Sequence, residues 1–156
     1  EVAVAEACNG MRMVAGTNDR FRIEILGGAR RVLEDAKMGA KVQPDEIKAW
    51  NVERIARTHV STRNVIEARI NDVPTRPQHP AFDGLLVGSD GQIWTGSAVI
   101  PHKPRVWTAR EERGAPKRAI TMRAGLEPIA FGDDWMLGRE RDGDGVEYIH
   151  LFQIGR

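Results

Sequence analysis

The stretch PAFDGLLVGSDGQIWTGSA, residues 80–98, decides how the rest of the chain is interpreted. Two apolar runs, GLLVG and QIWTGSAV, flank the turn residues Ser89, Asp90 and Gly91. Asp-Gly between apolar runs is typical of a tight β-hairpin, because both residues tolerate a positive φ. The stretch therefore predicts two antiparallel strands joined by a short turn, and it assigns Asp90 to that turn and not to a ligand site.

Strand-like runs continue from this hairpin through the rest of residues 82–155. They read RVWTAR, RAITMR, PIAFG, WMLGRER and VEYIHLFQI, and they are separated by PHKP, ERGAP, AGLE, GDD and DGDG. Many short strands joined by tight turns predict antiparallel sheets. The sequence has no strand–helix–strand alternation and no glycine-rich phosphate loop following a strand. This region is therefore predicted to be all-β.

Residues 11–35 have the same character. The runs MRMVAG, RFRIEIL and RRVLED are strand-like, with GTND and GGA as turns between them. Phe21, Ile23 and Ile25 alternate with Arg22 and Glu24. A period of two is typical of a strand with one buried face, so a second group of strands is expected here.

A helical insertion is predicted between the two strand regions, over residues 44–70. Pro44 followed by Asp45 and Glu46 favours a helix start, because proline fits the first turn and carboxylates suit its positive end. One α-helix is expected from Pro44 to about Thr58. Its apolar stripe is poorly focused, so the helix is expected to lie on a sheet edge or top and not to build the core.

The end of this insertion is ambiguous in the sequence. STRNVIEARIND begins at Ser61 and ends at Asp72. It fits either a continued helix or a strand, and both interpretations stay open for residues 61–70. VPTRPQHP follows, with three prolines in eight residues. Residues 71–81 are therefore expected to form an extended connector.

Length and composition indicate one soluble-type domain over residues 1–156. Hydrophobic residues make up 41% and charged residues 29% of the chain, which is ordinary for a globular protein. The 23 basic and 22 acidic residues nearly cancel, so no large positive field points to nucleic acid. No apolar run approaches the ~20 residues that a membrane span needs. Cys8 is the one cysteine, which excludes an internal disulfide and a cysteine-based zinc site.

The motif RDGDG near the end of the chain raises the question of calcium. An EF-hand loop needs oxygen ligands at positions 1, 3 and 5, glycine at 6 and glutamate at 12. Counted from Asp142, Asp144 stands at position 3, Val146 at 5 and Glu147 at 6. The series stops after two ligands, so a hairpin turn is predicted instead. Asp133 and Asp134 are also assigned to a turn, because neighbouring strand residues face opposite ways.

No motif in the sequence indicates catalysis or cofactor binding. His59, His79, His102 and His150 have no spacing that brings two onto one face; His79 and His102 are expected to be solvated in proline-rich connectors, and His150 to pack on a strand face. Serine lacks the G-x-S-x-G elbow, and nothing in the sequence activates Cys8. The protein is therefore expected not to be an enzyme, with no catalytic, cofactor-binding or metal-binding residues.

Four tryptophans are the candidates for contact with a partner. Trp50, Trp94, Trp107 and Trp135 are of the residue type that anchors protein interfaces, fills the cores of small sheets, or forms stacking platforms for ligands.

The segments PAFDGLLVGSDGQIWTGSA, RVWTA and LEPIAFGDDWMLGRERDGDGVEYIHLFQI together resemble the C-terminal part of a bacterial six-bladed β-propeller family of the NHL and TolB type. The Ser-Asp-Gly-x-Ile-Trp hairpin (residues 89–94) resembles a blade hairpin. The Gly-Asp-Asp segment with its Leu-Gly pair (residues 132–138) and the closing strand from Val146 to Tyr148 resemble the last blade. The resemblance implies a mainly β, partial propeller-like set of small antiparallel sheets, with blade-like strands in residues 11–35 and 82–155 and one inserted α-helix.

The resemblance also bears on the role of the protein. A blade has four strands and closure of the ring removes exposed edges, but about ten predicted strands fill only about two and a half blades on that four-strand count. The chain is therefore either a fragment of a longer protein or a shortened relative whose edges something else covers. The first function expected is a non-catalytic structural subunit bound to other proteins. The resemblance implies a periplasmic or other extracytoplasmic setting, such as a membrane-extrinsic subunit of a photosynthetic reaction centre. The alternative is the C-terminal part of a ligand-binding or hydrolytic propeller.

Overall fold

The computed structural model describes residues 7–9, 12–26, 31–35, 39–111 and 114–155, with side chains described from Val14 onward. The predicted strand start at Met11, the GGA turn at residues 27–29 and the side chain of Cys8 lie outside the described residues.

Three antiparallel sheets, each a meander in chain order, form the framework of the described part of the chain. Sheet 1 contains β1 (Ala7–Asn9), β2 (Arg12–Thr17), β3 (Phe21–Leu26) and β4 (Arg31–Asp35). Sheet 2 contains β5 (Gly84–Val87), β6 (Ile93–Gly96), β7 (Arg105–Arg110) and β8 (Pro116–Met122). Sheet 3 contains β9 (Glu127–Phe131), β10 (Trp135–Arg141) and β11 (Glu147–Gln153).

The sheets stack face to face in the order 1, 2, 3, and their side chains form two apolar cores. The core between sheets 1 and 2 holds Val14, Phe21, Ile23, Ile25, Leu33, Phe82, Leu85 and Ile93. The core between sheets 2 and 3 holds Trp94, Trp107, Ala109, Met122, Leu126, Phe131, Met136 and Ile154. Burial of each large side chain contributes about 1.5–3 kcal/mol, so these two layers supply the main driving force for the stack.

Sheet 2 is covered on both sides, and β6 shows this most clearly. All four residues of β6 are buried, with Ile93 in the first core and Trp94 in the second. Neighbouring residues of a strand face opposite ways, so an unbroken buried run requires a layer on each face. By contrast, β3 alternates buried and half-buried residues, as its sequence period predicts for a strand with one covered face.

Along the chain, two helices lie between the last strand of sheet 1 and the first strand of sheet 2. The first, α1 (Pro44–Ala56), begins with Pro44 at its first turn and with Asp45 and Glu46 in that turn. The second, α2 (Val60–Arg69), continues into a short 3₁₀ turn (Ile70–Asp72). The connector then returns beside the start of the insertion, where the N–H of His79 donates to the carbonyl of Ala40 at 2.8 Å.

Successive connections of an antiparallel meander lie at alternate ends of the sheet. The helical insertion that enters β5, the β6–β7 loop and the β8–β9 turn therefore all lie at the same end of sheet 2, which we call the insertion end.

The predicted mainly β fold is confirmed, with three differences in detail. The insertion contains two α-helices instead of one, because residues 60–69 continue as helix, which settles the ambiguity over residues 61–70. The short strand β1 has no periodic signal in the sequence and was not predicted. The predicted strand QIWTGSAV is shorter, since β6 ends at Gly96. None of the described helices has the length and apolar character needed to cross a membrane.

Candidate functional site

An ionic cluster with a buried Glu46–His79 pair at its centre joins the helical insertion to sheet 2. The carboxylate of Glu46 on α1 lies 2.8 Å from Nε2 of His79 in the connector and 3.2 Å from Nζ of Lys103 in the β6–β7 loop. Lys103 also lies 3.3 Å from Asp45. We call these four residues the junction cluster. They bring together three segments of the chain, at residues 45–46, 79 and 103, that are distant in the sequence.

Local helix chemistry places Glu46 in this position. It is the third residue of α1, and its carboxylate accepts the backbone N–H of Gln43 at 2.9 Å, as in a capping box. This backbone hydrogen bond is the largest cause that lowers the pKa of Glu46, from 4.5 to about 2, and the hydrogen bonds from His79 and Lys103 add to it. These three hydrogen bonds keep the Glu46 carboxylate ionised.

The central pair of the junction cluster is closed to solvent, and its contacts hold separate segments of the chain together. The side chains of Glu46 and His79 are only 7% and 8% exposed, and their polar atoms bond to one another. Among the described residues, no group of three or more His, Cys, Asp or Glu side chains is placed to hold a metal ion. What the arrangement does chemically is to fix the insertion against the loop that carries Lys103.

Trp50 extends this junction toward solvent. Its Nε1–H donates to the carbonyl of Val99 at 3.1 Å, and its ring meets that of His79 edge-on with centroids 5.6 Å apart. Trp50 thereby forms one wall of a cleft of about 420 Å³ between α1, the β6–β7 loop and the β8–β9 turn. We call it the rim cleft, and Trp50 is the one predicted interface tryptophan that lines it.

The other three predicted interface tryptophans lie elsewhere. Trp94 and Trp107 are buried in the core between sheets 2 and 3, where Trp94 stacks on Phe131 at a centroid distance of 3.9 Å. They serve contacts between sheets of the same chain and offer no ring surface to a partner. Trp135 is half-buried, and a Cβ on Gly132 would lie 2.2 Å from its ring, so this ring packs over the β9–β10 hairpin.

The histidines differ from their predicted settings at two positions. His79 was expected to be solvated, and this is wrong, because the connector folds back onto α1 and buries its ring against Glu46. His150 shares a strand face with Tyr148 and Phe152 as predicted, but it is partly exposed and lies 3.5 Å from Glu140 instead of in the core. His102 is exposed as predicted, and His59 caps α2 by accepting the N–H of Ser61.

The aspartates predicted to form turns do so. The Asp142 carboxylate accepts the N–H of Asp144 at 3.0 Å and that of Val146 at 2.9 Å, closing the hairpin between β10 and β11. Asp90 accepts the N–H of Gln92 in the same manner. Gly91 and Gly145 have φ values of +80° and +84°, which explains the Asp-Gly pairing in both turns. Asp133 and Asp134 form the bend between β9 and β10.

Three arginines of sheet 2 lie over aromatic rings, a feature that sequence reasoning missed. Arg105 lies over Trp107 at 4.7 Å, Arg110 over Phe21 of sheet 1 at 4.2 Å, and Arg118 over Trp94 at 5.0 Å. Arg118 also donates to the carbonyl of Gly132 at 3.2 Å. A planar guanidinium suits both contacts at once. The sequence contains many more arginines than lysines, and this is the only feature of the sequence that could have indicated the arginine–aromatic contacts.

Sheet 3 presents an unusual outer strand. Within the described residues β11 pairs only with β10, so its other edge is open. Tyr148, Ile149 and Leu151 are 48%, 59% and 71% exposed along this strand. On β10 beside it, Arg139 pairs with Glu127 and Glu147 at 2.9 and 3.7 Å. This surface therefore combines apolar side chains with a charged network.

Comparison with known proteins adds no relative to this description: no protein-family model, no curated protein and no solved structure matches the chain.

Proposed function

We propose that the chain is a non-catalytic structural subunit that docks to another protein through the open edge of β11. The observation that carries the proposal is the contrast between this edge and those of the other two sheets. Sheets 1 and 2 have four strands each, whereas sheet 3 has three described strands. Among the described residues, no strand lies beside β11 in the position that β4 and β8 occupy in their sheets.

The edges of sheets 1 and 2 carry the features that discourage pairing with another chain. β4 has the sequence RVLED, with exposed Arg31, Glu34 and Asp35, and β8 begins with Pro116 and exposed Lys117. Charged residues and proline on an outer strand are common protections against edge-to-edge association. Strand β11 has no proline, lysine or arginine, and its one acidic residue, Glu147 at its start, is paired with Arg141 on β10. Beyond Glu147 the strand exposes Ile149 and Leu151.

A partner of defined chemistry fits such an edge. An extended segment can add to β11 as a fourth strand, with backbone hydrogen bonds for affinity and side-chain contacts at alternate positions for specificity. Neighbouring strand residues face opposite ways, so Ile149 and Leu151 share one face and Tyr148 lies on the other. The added strand should therefore be apolar opposite Ile149 and Leu151.

The sequence resemblance to exported β-propellers supplies the setting for this role. Face-to-face stacking of small meander sheets agrees with a propeller-like arrangement, which is what supports the resemblance. We accordingly place the subunit in the periplasm or another extracytoplasmic space, on the outer face of a membrane complex such as a photosynthetic reaction centre. Membership of a ligand-binding or hydrolytic propeller is the second candidate, and the rim cleft favours its ligand-binding form.

Association in solution tests the proposed docking edge. An unprotected edge should pair with itself when no partner is present, so the purified chain should associate as its concentration rises. Sedimentation velocity should show this association, and Ile149→Lys and Leu151→Lys should abolish it. Val65→Lys, at a similarly exposed apolar residue of α2, should leave it unchanged. A monomer at every concentration, or equal loss of association in all three variants, would contradict the proposal.

A further inference from the structure

The rim cleft is lined by residues that all lie outside β11. Its walls come from the second half of α1, the β6–β7 loop and the β8–β9 turn, and its volume of about 420 Å³ lies within the range of small-molecule sites. The walls are held in place by the junction cluster and by the hydrogen bond from Trp50 to Val99. The cleft is therefore a fixed feature of the insertion end.

Positive side chains outnumber negative ones around this cleft. Arg57, Lys103, Arg105 and Arg123 line it, against Glu53 and Glu127. Both carboxylates already have cationic partners: Glu53 lies 2.7 Å from Arg57, and Glu127 lies 2.9 Å from Arg139, which is outside the cleft. Carboxylates outside the cleft also take part: Glu140 pairs with Arg123, and the junction cluster pairs with Lys103. Among the described residues, Arg105 is therefore the cleft cation left without a carboxylate partner.

Arg105 is the least compensated of the four positive side chains that line the cleft. Among the described residues it forms no ion pair with a carboxylate, and its Nη2 is buried without a hydrogen-bond partner. Burial lowers the pKa of Arg105, while the more distant charges of Asp83 and Glu127 act in the opposite direction. A half-buried guanidinium without a counter-ion is costly, and a bound anion would offset that cost.

The position of Arg105 is set before any ligand arrives. Its Nε donates to the carbonyl of Ser97 at 2.8 Å, and its guanidinium lies over the Trp107 ring. Gly84 and Gly96 leave the space that the guanidinium fills, since a Cβ at either residue would lie within 2.8 Å of Nη2. A cation held in this way loses little side-chain entropy when a ligand binds.

Apolar groups complete the lining. The indole of Trp50, Ile100, Pro101 and Leu126 stand among the charged groups, and aromatic and aliphatic walls with a few fixed polar groups are typical of sites for small organic ligands. We propose that the rim cleft binds a small organic anion, a carboxylate or phosphate ester carried on a flat apolar body, with Arg105 and Arg123 facing the anionic group and Trp50 contacting the body. This site does not depend on the docking role of β11.

Titration with three simple probes tests the site by two-dimensional ¹H–¹⁵N NMR. Phenyl phosphate and benzoate represent the two anionic groups, and benzyl alcohol is the uncharged control. We expect either anion to shift the indole N–H of Trp50 and the backbone amides of residues 100, 102, 103 and 124–126 in a saturable manner. The anion that binds more tightly identifies the preferred anionic group. Benzyl alcohol should give no saturable shift.

Arginine-to-glutamine variants then show which side chains contribute to binding of the anion. Arg105→Gln and Arg123→Gln should each weaken the better anion about tenfold, roughly the effect of losing one charge-assisted hydrogen bond. Arg141→Gln, an exposed arginine of β10 outside the cleft, should bind normally. If Arg105→Gln proves unfolded, Arg123→Gln and Arg57→Gln test the same claim, because both residues line the cleft and their loss should also weaken binding of the anion. Absence of saturable shifts, shifts centred elsewhere, or equal binding by all variants would overturn the proposal.

Discussion

The carboxylate of Glu46 and the imidazole of His79 meet at 2.8 Å although 33 positions separate them in the chain. The pair connects the first turn of α1 to the connector that leads into sheet 2, and Lys103 completes it from the β6–β7 loop. Three separate segments thus depend on one ionised carboxylate. This dependence should be visible as an effect of pH on stability.

Our first prediction concerns acid unfolding. The pKa of Glu46 is about 2 in the folded protein against an ordinary 4.5. A carboxyl group whose pKa is lowered by folding stabilises the protein above its unfolded pKa and loses this contribution as pH falls toward the folded pKa. The stability difference between the natural protein and Glu46→Gln should therefore be full above pH 4.5 and shrink between 4.5 and about 2.

Urea unfolding midpoints at a series of pH values measure this difference. Asp142 and Glu147 also have lowered pKa values, but they are present in both proteins and cancel in the comparison. Parallel pH profiles for the two proteins would show that the charge of Glu46 does not stabilise the junction.

The stacked pair Trp94 and Phe131 gives the second prediction. The two rings are nearly parallel, with an interplanar angle of 8°, and they join sheet 2 to sheet 3. Phe131→Ala should lower the free energy of unfolding by about 3–5 kcal/mol, because it removes a buried aromatic ring and leaves a cavity. Ile129→Ala on the same strand, where the side chain is 45% exposed, should cost much less. Chemical denaturation of both variants checks the prediction, and similar losses would contradict this packing.

The third prediction separates arginine from lysine at a position between two sheets. Arg118→Lys keeps the charge but loses the planar group that lies over Trp94 and reaches the carbonyl of Gly132. The loss should be about 1 kcal/mol, the net contribution of one such hydrogen bond. Arg141→Lys, at an exposed ion pair with Glu147, should stay within about 0.5 kcal/mol of the natural protein. A reversed order in thermal or urea unfolding would refute the assigned role of Arg118.

The fourth prediction distinguishes a turn from a calcium loop. Asp142→Ala removes the acceptor for two backbone N–H groups and should lower the free energy of unfolding by about 1 kcal/mol. Asp144→Asn should leave stability unchanged. Isothermal titration calorimetry should detect no calcium binding by either the natural protein or the variants. Micromolar affinity that disappears in Asp144→Asn would prove the turn interpretation wrong.

The sequence predicted what local chemistry controls. Alternation along Phe21–Ile25, the Asp-Gly turns and the proline start of α1 each act within a few residues, and all appear in the structure. The helical propensity of residues 60–69 was too weak to decide, and His59, which caps that helix, was not recognised as a cap.

Contacts between distant segments could not be predicted in this way. The burial of His79 depends on where the connector returns, and the arginine–aromatic pairs depend on how the sheets stack. Trp50 and Trp94 both lie in ordinary sequence contexts, yet one lines an open cleft and the other is fully buried. Their environments differ because α1 lies beside the cleft at the insertion end, whereas β6 lies between two other layers of the stack.

Hydrogen exchange at the individual amides of β11 tests the docking proposal most directly. An edge strand points alternate N–H groups away from its neighbour, and these groups should exchange rapidly in the dilute, isolated chain. In the assembly purified from the producing cells, we predict strong protection of the alternate β11 amides that do not bond to β10, and loss of that protection in Leu151→Lys. Equal, rapid exchange of those amides in the assembly and in the isolated chain would contradict the account.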